Sequence, residues 1–150
     1  MENKTLENLE SALAGESMAH IKYRYFAKLA RAEGFEEVAK HFEHTADQEI
    51  LHAWGHLELL VGKPSTQRCL EMAIEGETYE FTEMYPKFET QARLDGHSHW
   101  LEEIQGQIGE SKEHAEQFQA ILKKAEKRFN ALKKVEERHA NAYKQVMEKL

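Results

Sequence analysis

The sequence predicts an all-α protein, a four-helix bundle made of two helical hairpins. Only two prolines and eight glycines interrupt the 150 residues, and the composition is rich in Glu, Lys, Ala and Leu, which favour helix. Apolar residues recur every three or four positions along long segments, as they do on the buried face of a helix. The length allows one domain, residues 1–150, with a sizeable core.

The first two helices are bounded by glycines. The first predicted helix runs from about residue 5 to residue 33 and ends at Gly34, and the second runs from about residue 36 to residue 60. Residues 61–68 contain Gly62 and Pro64 and form the predicted linker between the hairpins.

The third and fourth helices make up the second hairpin. The third is predicted over about residues 70–94, with a kink or bulge at Pro86. The fourth is clearest from Ala115 onward, where apolar positions keep heptad-like spacing as far as Leu150. Residues 97–120 make the second half longer than the first, so we expect an inserted or extended segment before or within the fourth helix.

Charge and cysteine content exclude several classes of protein. The net charge is −7, so nucleic acid and acidic membrane surfaces are not expected partners. Cys69 is the only cysteine, which excludes an internal disulfide and a cysteine-ligated iron centre and fits a reducing compartment. The polar N-terminus and the lack of a long apolar run predict a cytoplasmic protein.

Carboxylates and imidazoles occupy helix positions where apolar residues are expected. Two Glu-x-x-His motifs, Glu49 to His52 and Glu136 to His139, each place both side chains on one helical face. Two glutamates that each follow a glycine, Glu16 and Glu77, complete the pattern, and Glu80 lies on the same stripe as Glu77.

Such a set of buried charges predicts a metal centre. One unpaired carboxylate in a protein interior costs several kcal/mol or becomes protonated, and a pair of cations would offset the charge of the whole set. A four-helix bundle that binds two metal ions uses this combination of ligands. Carboxylate and imidazole ligands without thiolate favour iron or manganese.

The motifs resemble those of the rubrerythrin family along nearly the whole chain. They are Ala14-Gly15-Glu16-Ser17, Gly76-Glu77-Thr78-Tyr79-Glu80, Thr82-Glu83-Met84-Tyr85-Pro86 and both Glu-x-x-His-Ala segments. The resemblance implies a ferritin-like bundle with two iron ions that reduces hydrogen peroxide. The iron ligands that it implies are Glu16, Glu49, His52, Glu77, Glu80, Glu136 and His139.

The resemblance also implies roles and partners. Glu80 corresponds to the extra carboxylate of the family, whereas its counterpart in the first half is Ala19, so the ligands are not symmetric. Tyr23 and Tyr85 are candidates for hydrogen bonding to ligand carboxylates and for proton delivery. The expected assembly is a homodimer, with or without exchanged hairpins. Rival hypotheses are a ferritin-like iron oxidation or storage protein and a metal-free helical interaction module.

Two departures from the family pattern bear on these expectations. Paired Cys-x-x-Cys knuckles of a rubredoxin domain are not found in the sequence, so electrons would come from a separate donor such as a rubredoxin-like protein. The second departure leaves the fourth-helix ligands open. His114 follows Gly96 by eighteen residues, as His52 follows Gly34, but Ser111 then stands at the glutamate position, with Glu110 beside it. We favour Glu136 and His139 over Glu110 and His114 because of their motif spacing and stripe position.

Overall fold

The computed structural model describes residues 4–148, and all of their regular structure is helical. The α-helices are α1 (Lys4–Ala32), α2 (Glu36–Val61), α3 (Thr66–Tyr79), α4 (Tyr85–Leu94) and α5 (Leu101–Met147). A π-helical turn, Glu80–Met84, joins α3 to α4, and a 3-10 turn, Ser98–Trp100, precedes α5. The all-α prediction is therefore confirmed: α3, the π-turn and α4 form one run, so the described residues contain four long helical segments.

Helix ends follow the predicted signals with one exception. Gly34 and Gly62 adopt φ values of 88° and 68° just past α1 and α2, a conformation that side chains with a Cβ rarely adopt. The third helix begins at Thr66 rather than near residue 70. The cause is an N-cap: the Ser65 hydroxyl accepts a hydrogen bond from the backbone N–H of Arg68 at 3.2 Å.

The chain forms two compact units that meet at Lys63 and Pro64, inside the predicted linker. The first unit is the α1–α2 hairpin. Its most buried residues are alanines, including Ala27 and Ala39, which are 1% and 0% exposed. Side chains this small allow two helices to pack closely. Arg31 of α1 adds ion pairs to Glu43 of α2 at 2.9 Å and to Glu36 at 3.0 Å.

In the second unit, α5 packs along α3, the π-turn and α4. The buried residues that it contributes are Ile104, Ser111 and Ala115. These positions lie within residues 97–120, so most of the predicted extra segment forms the start of α5. Leu150, the last residue of the predicted heptad pattern, lies outside the described residues. Between residues 4 and 148, no helix combines the length and the apolar character that a membrane span requires.

We expect Ala39→Leu to destabilise the first unit. Ala39 is 0% exposed, so the larger side chain must displace α1 or Phe42, at a cost of about 1–3 kcal/mol. Urea unfolding followed by circular dichroism would measure the change. Ala32→Leu, at an exposed position in the last turn of α1, is the matched control and should change stability by less than about 0.5 kcal/mol. Equal unfolding midpoints for the two variants would contradict close packing of α1 on α2.

Candidate metal centre

The first unit brings three predicted ligands together. Glu16 on α1 faces Glu49 and His52 on α2, and one ligand atom from each residue lies within 4.8 Å of the others. Because Glu49 and His52 are three residues apart on a helix, they share a face, and His52 Nδ1 lies 3.2 Å from Glu49 Oε2. Glu49 is largely buried, with 18% of its side chain exposed, whereas His52 is open to solvent.

Glu16 and Glu49 are close enough to share a proton. A hydrogen bond between the two side chains raises the pKa of Glu16, and burial and the negative charge of Glu49 act in the same direction. The same hydrogen bond lowers the pKa of Glu49. Adjacent carboxylates cannot both ionise without repulsion, so a proton held between them would relieve that repulsion in the metal-free protein. A bound cation would take the place of that proton.

The residues around this cluster fix its position on the hairpin. The imidazole of His20 and the carbonyl oxygen of Ala46 are 2.8 Å apart, which ties α1 to α2 beside the cluster. The ring of Tyr23 stacks on Phe42 with centroids 6.0 Å apart and also contacts Phe26. The structure therefore places Tyr23 in an aromatic cluster, while its role in proton delivery remains a prediction.

The second unit contains another group of carboxylates and an imidazole. Glu77 lies on α3 and Glu80 opens the π-turn, and both face α5. The buried Ser111 hydroxyl donates a hydrogen bond to Glu80 Oε2 at 3.0 Å, and His114 Nδ1 lies 3.5 Å from Glu77 Oε2. Among the described residues, Glu77 Oε2 is a buried side-chain oxygen that accepts no hydrogen bond. Such an atom is costly unless it has a positive partner.

The π-turn carries Glu80 at its first position. The backbone N–H of Tyr85 donates to the carbonyl of Glu80, a bond that spans five residues. Pro86 follows in the first turn of α4, where its missing N–H is tolerated. The predicted kink or bulge near Pro86 is thus confirmed as a π-turn, a feature that is frequent at functional sites.

Tyr85 lies beside these carboxylates and keeps its proton. Burial raises the pKa of its hydroxyl, and four negative charges raise it further. These charges belong to Glu80, Glu103, Glu77 and Glu110. The hydroxyl is therefore a hydrogen-bond donor at neutral pH, which suits the predicted contact with a ligand carboxylate.

The structure does not bring Glu136 and His139 to the other predicted ligands of their unit. Both are exposed on the later part of α5, whereas His114 lies next to Glu77. Ser111 also lies in this group through its hydrogen bond to Glu80, although no sequence motif predicts a role for it. Its position three residues before His114, where the family motif has glutamate, was the available signal.

In the first cluster three ligand atoms lie within 4.8 Å of one another, and the donor types of both clusters suit a ferrous or manganous ion. They are carboxylate oxygens and imidazole nitrogens with no thiolate, the set that iron and manganese accept. The Glu77 oxygen that accepts no hydrogen bond and the raised pKa of Glu16 indicate more negative charge than the metal-free clusters neutralise.

Comparison with known proteins identifies relatives of this chain. The rubrerythrin family model matches residues 7–122. Nigerythrin of Nitratidesulfovibrio vulgaris is 41% identical over 108 residues, which are 63% of this chain and 54% of that protein. A putative rubrerythrin of Methanocaldococcus jannaschii is 33% identical over 145 residues, covering 82% of this chain and 71% of that protein. The chain spans about half the length of several curated relatives that it matches.

Solved structures of nigerythrin are also similar. The partially reduced state of nigerythrin has 34% sequence identity and a TM-score of 0.43, covering 81% of this chain and 67% of that one. The fully reduced, all-ferrous state of nigerythrin has the same identity and a TM-score of 0.41.

We expect Glu16→Gln to make the metal-free protein less sensitive to rising pH. Because the pKa of Glu16 is raised on folding, its contribution to stability is present below the ordinary carboxyl pKa and is lost as pH rises through the raised value. A glutamine amide donates to Glu49 at every pH. Thermal melting across a pH series measures the effect, and Glu10→Gln, at an exposed position of α1, is the control for the loss of one charge.

The same substitution should also weaken metal binding in the first unit, because it removes one carboxylate ligand. Identical pH profiles for Glu16→Gln and Glu10→Gln would contradict the shared proton.

Proposed function

The chain belongs to the rubrerythrin family, and on that premise we propose that it is a non-haem di-iron peroxidase. It would reduce hydrogen peroxide to water with electrons from a separate donor, such as a rubredoxin-like protein. The observation that carries the proposal is that glutamate lies next to histidine in each unit, and that a buried oxygen of Glu77 accepts no hydrogen bond in the second.

We assign three iron ligands to each unit. In the first they are Glu16, Glu49 and His52, as the sequence predicts. In the second they are Glu77, Glu80 and His114, so that His114 takes the role first expected of His139. Two observations support this choice: His114 lies 3.5 Å from Glu77, and the family model ends at residue 122, before the second Glu-x-x-His motif.

Glu80 supplies the carboxylate that Ser111 does not. Ser111 stands three residues before His114, at the position where Glu49 precedes His52. Its hydroxyl donates to Glu80 Oε2 from α5 and so orients a carboxylate carried by the facing helical run. Charge-assisted hydrogen bonds of this kind hold ligands in place. Glu103 and Glu110 add negative charge near Tyr85 from α5 and are further carboxylates available there.

During the reaction, the protein residues would bind the iron ions, orient the ligand carboxylates and supply a proton to the oxygen that leaves. When bound, ferrous iron would supply electrons and polarise the O–O bond of peroxide. The glutamates would hold the ions, and their negative charge favours the oxidised state. The Tyr85 hydroxyl is protonated and lies among carboxylates, so it can donate a hydrogen bond, and then a proton, to an oxygen atom leaving as water.

We also propose that the chain functions as a homodimer, with or without exchange of hairpins. Large apolar side chains such as Ile21 and Trp54 are 66% and 61% exposed, and exposed apolar surface of this kind commonly marks a protein interface. Exchange of identical hairpins requires only a linker that can extend, and Gly62 and Pro64 lie in this one.

His114→Ala should lose iron, and His139→Ala should retain it. Removal of His114 leaves Glu77 without its imidazole neighbour, while His139 is exposed and lies beyond the family region. The iron content, measured by elemental analysis after anaerobic reconstitution, should be about two ions per chain for wild type and for His139→Ala. Peroxide turnover should follow the iron content. Iron loss in His139→Ala with a fully loaded His114→Ala would restore the original assignment.

The ferrous protein should react much faster with hydrogen peroxide than with dioxygen. Stopped-flow absorbance gives the rate of oxidation with each oxidant, and Tyr85→Phe, which removes the proton donor, should slow the peroxide reaction by roughly 10²-fold or more. The matched control is Tyr79→Phe, at an exposed position of α3. Faster oxidation by dioxygen, together with retention of mineral iron, would favour the iron-storage alternative.

A further inference from the structure

The end of α5 has no role in the proposed iron site. We call residues 123–148 the tail. They follow the region that the family model matches, which ends at residue 122. The first turn of α3 reaches the start of the tail, because Gln67 lines a groove with Phe129 and Glu126. Beyond it, every described residue from 130 to 148 is exposed except the half-buried Val135.

The tail is amphipathic with strict heptad spacing. Its stripe consists of Phe129, Leu132, Glu136, His139, Tyr143 and Val146. Leu132, Tyr143 and Val146 are 53%, 73% and 59% exposed, although they lie at positions that a coiled coil buries. The opposite face is basic: residues 123–148 contain eight lysines and arginines against four glutamates. From Leu132 onward the apolar stripe therefore faces solvent in the single chain, while Phe129 is half-buried.

The two polar residues of the stripe determine which partner fits it. We call the stripe the seam, because it is the face that would contact a second helix. Glu136 and His139 lie at neighbouring seam positions, so a two-fold axis through their midpoint would relate the tails of two chains. If a second tail runs antiparallel through that centre, Glu136 of each chain meets the partner's His139. The flanking layers then match Leu132 with the partner's Tyr143, and Phe129 with the partner's Val146.

We propose that the tails of two copies of this chain pair as an antiparallel coiled coil with this register. A parallel pair would place Glu136 against the partner's Glu136, which costs free energy. The antiparallel pair satisfies both polar residues and leaves the basic face in solvent. A lipid surface would bury Glu136 without a partner. The pairing thus gives a function to the second Glu-x-x-His motif and is separate from the iron site.

Engineered cysteines test the register in the full-length protein. The background is Cys69→Ser, because Cys69 is exposed. Leu132→Cys combined with Tyr143→Cys should give a covalent dimer on mild oxidation, whereas either substitution alone should give none. The two positions are about 16 Å apart along one helix, too far for a disulfide within a chain. The matched control, Asn130→Cys with Gln145→Cys, lies at the same level on the outward face and should give little dimer.

Three outcomes would overturn the proposal. The first is a covalent dimer from either single variant, which would indicate parallel pairing. The second is an equal dimer yield from the seam pair and the outward pair. The third is no dimer from the seam pair while circular dichroism shows an intact helix. If the Leu132→Cys, Tyr143→Cys variant loses helix content, a second experiment keeps the wild-type seam and attaches spin labels at positions 130 and 145, in place of Asn130 and Gln145. Electron spin resonance should then detect interchain distances that reflect the antiparallel register, and their absence also overturns it.

Charge variants and vesicles test the partner. Glu136→Lys in the two-cysteine seam variant should lower the dimer yield at least roughly tenfold, because it removes the carboxylate that accepts from the partner's imidazole and buries a cation without an anionic partner. Adding His139→Glu should restore it by reversing the pair. An unchanged yield with Glu136→Lys would contradict the register. Sedimentation of the protein with phosphatidylglycerol vesicles, together with failure of the seam cross-link, would show that the face binds a membrane and not a second tail.

Discussion

Negative charge held on opposing helix faces is the constraint on which this structure depends. Glu16 and Glu49 face each other across one hairpin, and Glu77 and Glu80 face α5 in the other unit. Carboxylates in such positions need a proton, a hydrogen-bond donor or a cation. In the first unit the hydrogen bond to Glu49 raises the pKa of Glu16, and in the second the Ser111 hydroxyl donates to Glu80. One buried oxygen of Glu77 accepts no hydrogen bond among the described residues and has the imidazole of His114 3.5 Å away.

The helical framework places these charges through small residues and a single irregular turn. Alanines between α1 and α2 allow the helices to approach each other, so that Glu16 reaches Glu49. In the second unit, the π-turn at Glu80 brings that carboxylate to Ser111 without breaking the helical run. The stability of the helix packing and the negative charge of the site are therefore linked, because the contacts that hold the helices together also hold glutamates close to one another.

The two units place carboxylates next to a histidine with different residues. His52 and His114 occupy equivalent positions after Gly34 and Gly96, but Glu49 is matched by Ser111. In the site that we propose, the missing carboxylate is offset by Glu80, whose counterpart in the first half is Ala19. A carboxylate has thus been exchanged for a hydroxyl on one helix and gained on the facing helix, so the total donor set changes little. The tail beyond residue 122 then becomes free for another purpose, which we assign to pairing.

The sequence by itself determined the all-α class, the hairpin boundaries and the first cluster, because periodicity, Gly34 and Gly62 and the Glu49–His52 spacing are all local signals. Only the tertiary structure decided which part of α5 packs against Glu77 and Glu80. A heptad pattern shows which side of a helix is apolar but not which partner covers it, so His139 and His114 are both acceptable from sequence. The sequence shows Ser111 at the expected glutamate position but not its role, because that role comes from a hydrogen bond to a residue thirty-one positions away, and no local pattern encodes that contact.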